Sequence, residues 1–252
     1  PLAIKSLKRL SHRGAKSYDR KSGDGSGILI DLPKTFFRTV LRNEFNKSIP
    51  GREILAVAMV FTTAYERKWL EKLFAIQLKE SGFRLHAVRC VPTENKSLGE
   101  LAFKTKPIIL QFIVSGKKIR KKNFETSLYL LRKIIEKKIL NERKKSYICS
   151  FSSKIIVYKG LMASAQLDQF YLDLRDKDFV VKMVLFHERF STNTGSAWAM
   201  AQPFQMVAHN GEFNTIKGNR LWMKAREKEI SSKFWGSDLD NLKPIIEPTG
   251  SD

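Results

Sequence analysis

Ser146-Tyr147-Ile148-Cys149-Ser150-Phe151-Ser152-Ser153-Lys154-Ile155-Ile156-Val157-Tyr158 reads as two short strands on either side of Ser152-Ser153. Two small residues between two apolar runs is a hairpin-like spacing. Working outward, Ile54–Phe61, Arg84–Val91, Pro107–Val114 and Phe179–Phe186 are further apolar runs of strand length. A glycine-rich loop, Ser22-Gly23-Asp24-Gly25-Ser26-Gly27, runs straight into a strand at Ile28-Leu29-Ile30. Several of these strands have no helix between them, and parallel neighbours need long crossovers. The pattern therefore predicts antiparallel sheets with helices packed on their faces, an α+β chain rather than a doubly wound parallel sheet.

The helices fall between these runs. Ala3, Leu7 and Leu10 space as the end of a helix that begins further upstream. Asp31 is placed to cap a helix with Pro33 in its first turn and Phe36, Phe37, Val40, Leu41 and Phe45 on one face. Pro50-Gly51 breaks the chain. Tyr65, Trp69, Leu73 and Ile76 keep helical spacing, with Gly82 just past the end as a C-cap. Asn123 can cap a helix bearing Phe124, Leu128, Leu131 and Ile135, Leu98-Gly99-Glu100 reads as a connection, and a final helix is expected from about Thr215 to Ile230.

Length and composition narrow the class. The chain has 252 residues, 42% of them hydrophobic, enough to bury a large core and too many for a disordered chain. Ile54–Phe61, the longest apolar run, is far short of the roughly 20 residues that span a bilayer. The opening Pro1-Leu2-Ala3-Ile4-Lys5 has no apolar signal core and no initiator Met. Two cysteines, Cys90 and Cys149, make no disulfide framework, which fits a reducing compartment. Lys and Arg number 46 against 25 Asp and Glu, a net +21. That excess admits a nucleic-acid or acidic partner. It is spread along most of the chain, densest at Lys117–Lys122, and forms no nucleic-acid-binding motif. A solvated basic face or a codon bias explains it better.

Two polar blocks carry chemistry. His187-Glu188-Arg189-Phe190-Ser191-Thr192-Asn193-Thr194 and His209-Asn210-Gly211-Glu212-Phe213-Asn214 each follow a strand-like segment, so each sits where a strand end opens into a loop. Arg189 there can pair bidentately with a carboxylate, and Thr192 adds a hydroxyl. Asn210-Gly211 offers a side-chain amide beside an unscreened backbone N–H, a pair suited to a developing oxyanion. The plainer reading is a turn dipeptide and a surface arginine. His187 and His209 lack supporting ligands for a metal. The GDGSG loop lacks the Lys-Ser/Thr of a phosphate loop and precedes a strand, not a helix.

Taken with Trp198, Ala201-Gln202-Pro203-Phe204, Gly218-Asn219 and Trp222 to Arg226-Glu227, these blocks closely resemble the class II glutamine amidotransferase domain of the glutamate synthase large subunit. His12-Arg13-Gly14-Ala15 with Gly23–Leu29, Val91-Pro92, Leu98-Gly99, Pro107, Gln111, Tyr158-Lys159-Gly160, Tyr171, Asp173-Leu174 and Gly250-Ser251-Asp252 fall in the family's order, so the resemblance covers nearly the whole chain. It implies the N-terminal-nucleophile fold, a four-layer αββα sandwich of two antiparallel sheets, here incomplete at both ends. Residues 1–252 form one partial domain on this reading. It implies hydrolysis of glutamine to glutamate and ammonia by an N-terminal Cys whose own α-amine is the base. It assigns the glutamine α-carboxylate to Arg189 with Thr192, the α-ammonium to Asp252 and the oxyanion hole to Asn210 and Gly211.

The resemblance also implies what lies outside the chain. The family's Cys falls upstream of the stretch matching residues 1–15, and Cys90 and Cys149 cannot replace it: both are internal, without a free α-amine, and both fall in strand-like segments where a buried, inert thiol is expected. The chain by itself is then expected to be inactive. Downstream, FMN and an iron–sulfur cluster (3Fe-4S) are implied for the longer enzyme, with reduced ferredoxin or an NAD(P)H-oxidising subunit as electron donor. The bacterial cytoplasm or the plastid stroma is the implied location, and no metal is expected in this segment. Glu188 departs from the family, which favours a small or basic residue there. Gly195-Ser196-Ala197 before Trp198, where a Pro is usual, and Phe213 for Ile are lesser departures. A non-catalytic relic that binds glutamine, and a basic nucleic-acid-binding protein, are the alternatives.

Overall fold

The computed structural model describes residues 2–19, 21–117, 124–188, 196–206 and 215–246. Along these the chain forms α1 (Leu2–Arg9), β1 (Ser26–Asp31), α2 (Lys34–Phe45), β2 (Glu53–Thr62), α3 (Arg67–Glu80), β3 (Phe83–Cys90), α4 (Glu100–Lys104) and β4 (Ile108–Lys117). There follow α5 (Phe124–Asn141), β5 (Tyr147–Ser152), β6 (Ile155–Gly160), α6 (Leu167–Phe170), β7 (Val184–Glu188), α7 (Ile216–Arg226) and α8 (Leu239–Leu242). The strands make two antiparallel sheets, ordered β6-β1-β7 and β3-β4-β2-β5. No helix among the described residues is long and apolar enough to cross a membrane.

The two sheets face each other because alternate residues of one strand serve two cores. Leu55, Val57, Met59 and Phe61 of β2 join Ile109 and Ile113 of β4 and Ile28, Ile30, Ile156 and Tyr158 of the other sheet in the inner core. Ala56, Ala58 and Val60, with Leu110, Phe112 and Val114, turn outward beneath α3 and α5. α5 meets them with Phe124, Leu128, Leu131, Ile135 and Ile139, a three-and-four spacing that keeps one face apolar. α1 packs against β7 and the segment before α6, burying Leu7. The expected α+β architecture, two antiparallel sheets with helices outside, is the one observed.

The expected hairpin at residues 146–158 is not one. β5 and β6 are both strands, but β5 pairs with β2 and β6 pairs with β1. The chain crosses at Ser152-Ser153 from the edge of one sheet to the edge of the other. Side chains replace the missing hairpin ladder. Ser152 Oγ donates to Glu125 at 2.7 Å and accepts from Lys154 N and Ile155 N, while the Glu125 carboxylate also takes Ser153 N (2.7 Å) and the Ser153 hydroxyl. Serine's affinity for nearby backbone makes such a corner possible.

Four helix and strand expectations shift for local reasons. Asp31 does not cap α2; it ends β1, and its Oδ1 accepts from Lys182 N and Met183 N, both at 2.8 Å. That contact and the turn Phe179 N to Asp176 O delay β7 until Val184, where a strand from Phe179 was expected. α3 buries Leu70, Phe74, Gln77 and Leu78, whereas Tyr65 and Ile76 are exposed and Trp69 and Leu73 only flank the core. The Phe74 ring stacks on Phe112 at 3.9 Å, which selects that stripe over the one a residue away. α7 closes at Arg226, four residues before Ile230. Gly82, at φ +75°, does follow α3 as expected, donating to Lys79 O. The cap expected of Asn123 lies outside the described residues.

Gly27 shows why the glycine-rich loop enters its strand as it does. A β-carbon there would lie 2.6 Å from Gln202 O, 2.6 Å from Lys159 Cβ and 2.8 Å from Tyr158 O. Two of those atoms are backbone and cannot swing away. Gly27→Ala is expected to cost about 1–3 kcal/mol of unfolding free energy, in the range of core overpacking. A urea midpoint equal to the parent's would contradict the packing.

Candidate active site

One end of the sandwich gathers the elements that lead into both polar blocks. There β1 begins at Ser26, opposite the last residues of both its neighbours, Gly160 of β6 and Glu188 of β7. From the facing sheet the same end receives the close of β2 and the starts of β4 and β5. Phe61, Thr62, Ile108 and Tyr147 line a cavity of about 630 Å³ together with Leu161 and Trp198. Among the described residues its charged lining is Lys104, Lys106 and Lys145, with no carboxylate. Burial holds the Lys106 ammonium below its usual pKa. Behind Tyr147, fully buried Lys159 sets its ammonium 4.9 Å from that ring and 4.3 Å from the Phe204 ring and donates to Ala199 O at 2.7 Å.

The motif residues hold this end together. Trp198 is buried between Phe61 and Phe170 and donates its indole N–H to Ala102 O at 3.1 Å. Its ring passes so close to Gly160 that a β-carbon there would lie 2.4 Å from Cζ3. Gln202-Pro203 is a cis peptide bond, and Gln202 O lies against Gly27. Asp19 fixes the turn before the glycine-rich loop. Its carboxylate accepts from Ser22 Oγ (2.5 Å), Ser22 N, Lys21 N and Leu101 N. Those bonds, the serine hydroxyl's foremost, hold its pKa well below the carboxylate range.

A second motif set forms a buried polar cluster between the sheets. Arg89 of β3 donates to both Asp173 oxygens (2.9 and 3.0 Å), to Gln111 Oε1 (3.0 Å) and to both Glu44 oxygens (3.0 Å). Tyr158 donates to Asp173 at 2.9 Å and accepts from Gln111. Burial lowers the Arg89 pKa, but hydrogen bonds to Asp173 and Glu44 outweigh it and hold the guanidinium above its usual value. Burial and then the Asp173 charge push the Tyr158 phenol well up. Every member is paired, so the cluster ties α2, β3, β4 and β6 together and offers no free base. Gln111, Tyr158 and Asp173 stood out as motif residues; Arg89 and Glu44 did not. An arginine inside the otherwise strand-like run 84–91 was the signal available for the first.

Arg189, Thr192, Asn210, Gly211, His209 and Asp252 all lie outside the described residues. What is described is their approach: β7 delivers the chain to 189, and 196–206 carries it on past the cavity. Among the described residues no group of three His, Cys, Asp or Glu side chains could hold a metal ion. Cys149 is buried in β5, its thiol pushed up to about 12 by burial, and is inert at neutral pH. Cys90 corrects the expectation of a buried thiol: it is exposed at the end of β3, with Arg67 Nη1 3.4 Å from its sulfur.

Two facing antiparallel sheets with helices outside are the architecture expected of an N-terminal-nucleophile amidotransferase domain. The profile of the class-II glutamine amidotransferases matches residues 2–252, and the chain belongs to that family. It is 40% identical over 254 residues to a ferredoxin-dependent glutamate synthase of Pyropia yezoensis and 39% identical over 253 residues to a glutamate synthase [NADPH] large chain of Bacillus subtilis, covering 99% of this chain in each case. Against a glutamate synthase [NADH] of Saccharomyces cerevisiae the identity is 38% over 258 residues. The chain spans 16%, 16% and 12% of the lengths of those three relatives.

Proposed function

We propose that this chain is the glutamine-hydrolysing portion of a glutamate synthase, releasing ammonia for glutamate formation from 2-oxoglutarate. The observation that carries this reading is the alignment of nearly the whole chain with three proteins named glutamate synthase, on a fold in which Glu188, just before Arg189, ends β7 opposite the start of β1. Arg189, helped by Thr192, would bind the glutamine α-carboxylate, and Asp252 the α-ammonium. Opposite charges on the two ends of the zwitterion select the free amino acid over a peptide amide. Asn210 and the Gly211 N–H would receive the oxyanion that forms when a cysteine thiolate attacks the side-chain amide. In this reading the family resemblance puts that cysteine upstream of the stretch matching residues 1–15.

FMN and the iron–sulfur cluster fall in this reading to polypeptide outside the chain. The electron donor stays at the level of reduced ferredoxin or NAD(P)H, because relatives named for each are about equally similar. The cytoplasm or the plastid stroma is the compartment that accompanies the reading. The test is made on the polypeptide that carries the nucleophile. Arg189→Ala is expected to raise KM for glutamine about tenfold or more, by losing a charge-assisted bidentate pair. An unchanged KM would remove Arg189 from the site.

A further inference from the structure

Glu188 is the last residue of β7 and stands directly before Arg189. It is only 6% exposed, and its Oε2 is buried with no hydrogen-bond partner. Across the strand pair it opposes Ser26 of β1, fully buried, whose hydroxyl is likewise without a partner. Its other oxygen lies against Gly14, where a β-carbon would come within 2.5 Å of Oε1. Two stretches separated by more than 170 residues in sequence therefore meet at one carboxyl. Among the described residues three bear on its charge. Ser164 presents its N–H and hydroxyl, Asp24 adds a like charge and Lys16 an opposite one. Burial dominates and raises the carboxyl to about 7.

A buried carboxylate with an orphaned oxygen is costly, so the group either keeps its proton or leaves its seat. We propose that Glu188 is a positioning residue: docked over Gly14 as the neutral acid, it anchors the end of β7 from which the Arg189 segment departs. Its ionisation releases that anchor. Gly14 is what the docking requires, because any side chain there would occupy the carboxyl's place. The consequence for glutamine rests on the proposed role of Arg189; the anchoring itself does not.

The sign follows from linkage. Between about pH 4.5 and 7 the folded chain holds the Glu188 proton more tightly than the unfolded chain, so this contribution to stability falls as pH rises through that window. For a carboxyl that titrates at about 7, roughly ten in eleven are protonated at pH 6 and one in eleven at pH 8, so a docked-state-dependent Kd is expected to rise about tenfold between them. The experiment compares the parent chain with Glu188→Gln, a neutral isostere, and Gly14→Ala at pH 6 and pH 8. Amide hydrogen exchange of residues 26–28 and 184–188 is read first, corrected for intrinsic rates. Protection in the parent is expected to fall about tenfold between the two pH values, to stay level in Glu188→Gln and to be low at both in Gly14→Ala. Equal pH dependence in parent and Glu188→Gln would overturn the anchor.

Glutamine binding by calorimetry is read second. A Kd that rises about tenfold with pH in the parent and stays flat in Glu188→Gln supports the positioning role. PH-dependent protection with a pH-independent Kd overturns the role and leaves a structural acid. PH-dependent protection with no glutamine binding at either pH upholds the anchor and sinks the glutamine reading instead.

Discussion

Arg89→Met is expected to lower the unfolding free energy by about 3–5 kcal/mol, read as a fall in the urea midpoint at an unchanged slope. Arg89 is 5% exposed and Asp173 3% exposed, so the pair is held out of water. Their attraction survives because both carboxylate oxygens are hydrogen-bonded: Asp173 also accepts from Tyr158, and Gln111 closes the ring between Arg89 and Tyr158. Methionine fills the volume but leaves the buried Asp173 charge without its cation, held only by neutral donors. The cost is that stranded charge, not the net value of the ion pair. Arg89→Met combined with Asp173→Asn is therefore expected to recover part of the loss. A single variant within 1 kcal/mol of the parent would show that water reaches the cluster. The loss is a large part of the 5–15 kcal/mol that holds a typical domain folded.

Asn210→Ala, in a polypeptide that carries the nucleophilic cysteine, is expected to lower kcat by about 10²–10³ with KM for glutamine little changed. An oxyanion donor acts on charge that exists only in the transition state, so removing it spares ground-state binding. Arg189→Ala is expected to act the other way round, on KM first. The split between the two variants is the readout. If Asn210 is only a turn residue, the variant will lose stability and keep kcat within a few-fold.

Much of the fold was legible because its signals are local. Ile54–Phe61 is apolar on both faces, and both faces of β2 prove buried. The spacing Phe124, Leu128, Leu131, Ile135 marks one side of α5, and that side meets the sheet. The α3 stripe misled because Trp69 and Leu73 are apolar yet lie at the margin, while Leu70 is buried in the core and Phe74 answers to Phe112 and Phe151. Asp31 misled because its carboxylate has a remote customer at Lys182 and Met183, which no local pattern shows. Of the candidate site, the family and its motif order were legible; Glu188 was visible only as a departure, and its contact with Gly14 was not.

By itself the sequence determined the α+β class, most of the strands and the family. Those rest on residue type, period and motif order, which are properties of neighbours along the chain. Tertiary structure alone decided that residues 146–158 cross between sheets, that Arg89 and Glu44 complete the Gln111–Tyr158–Asp173 cluster, and that Glu188 rests on Gly14. Each of these depends on which distant group a strand edge or a carboxylate finds. Hydrogen-bond satisfaction in a buried setting is settled by the assembled fold and not by the order of residues that precede it.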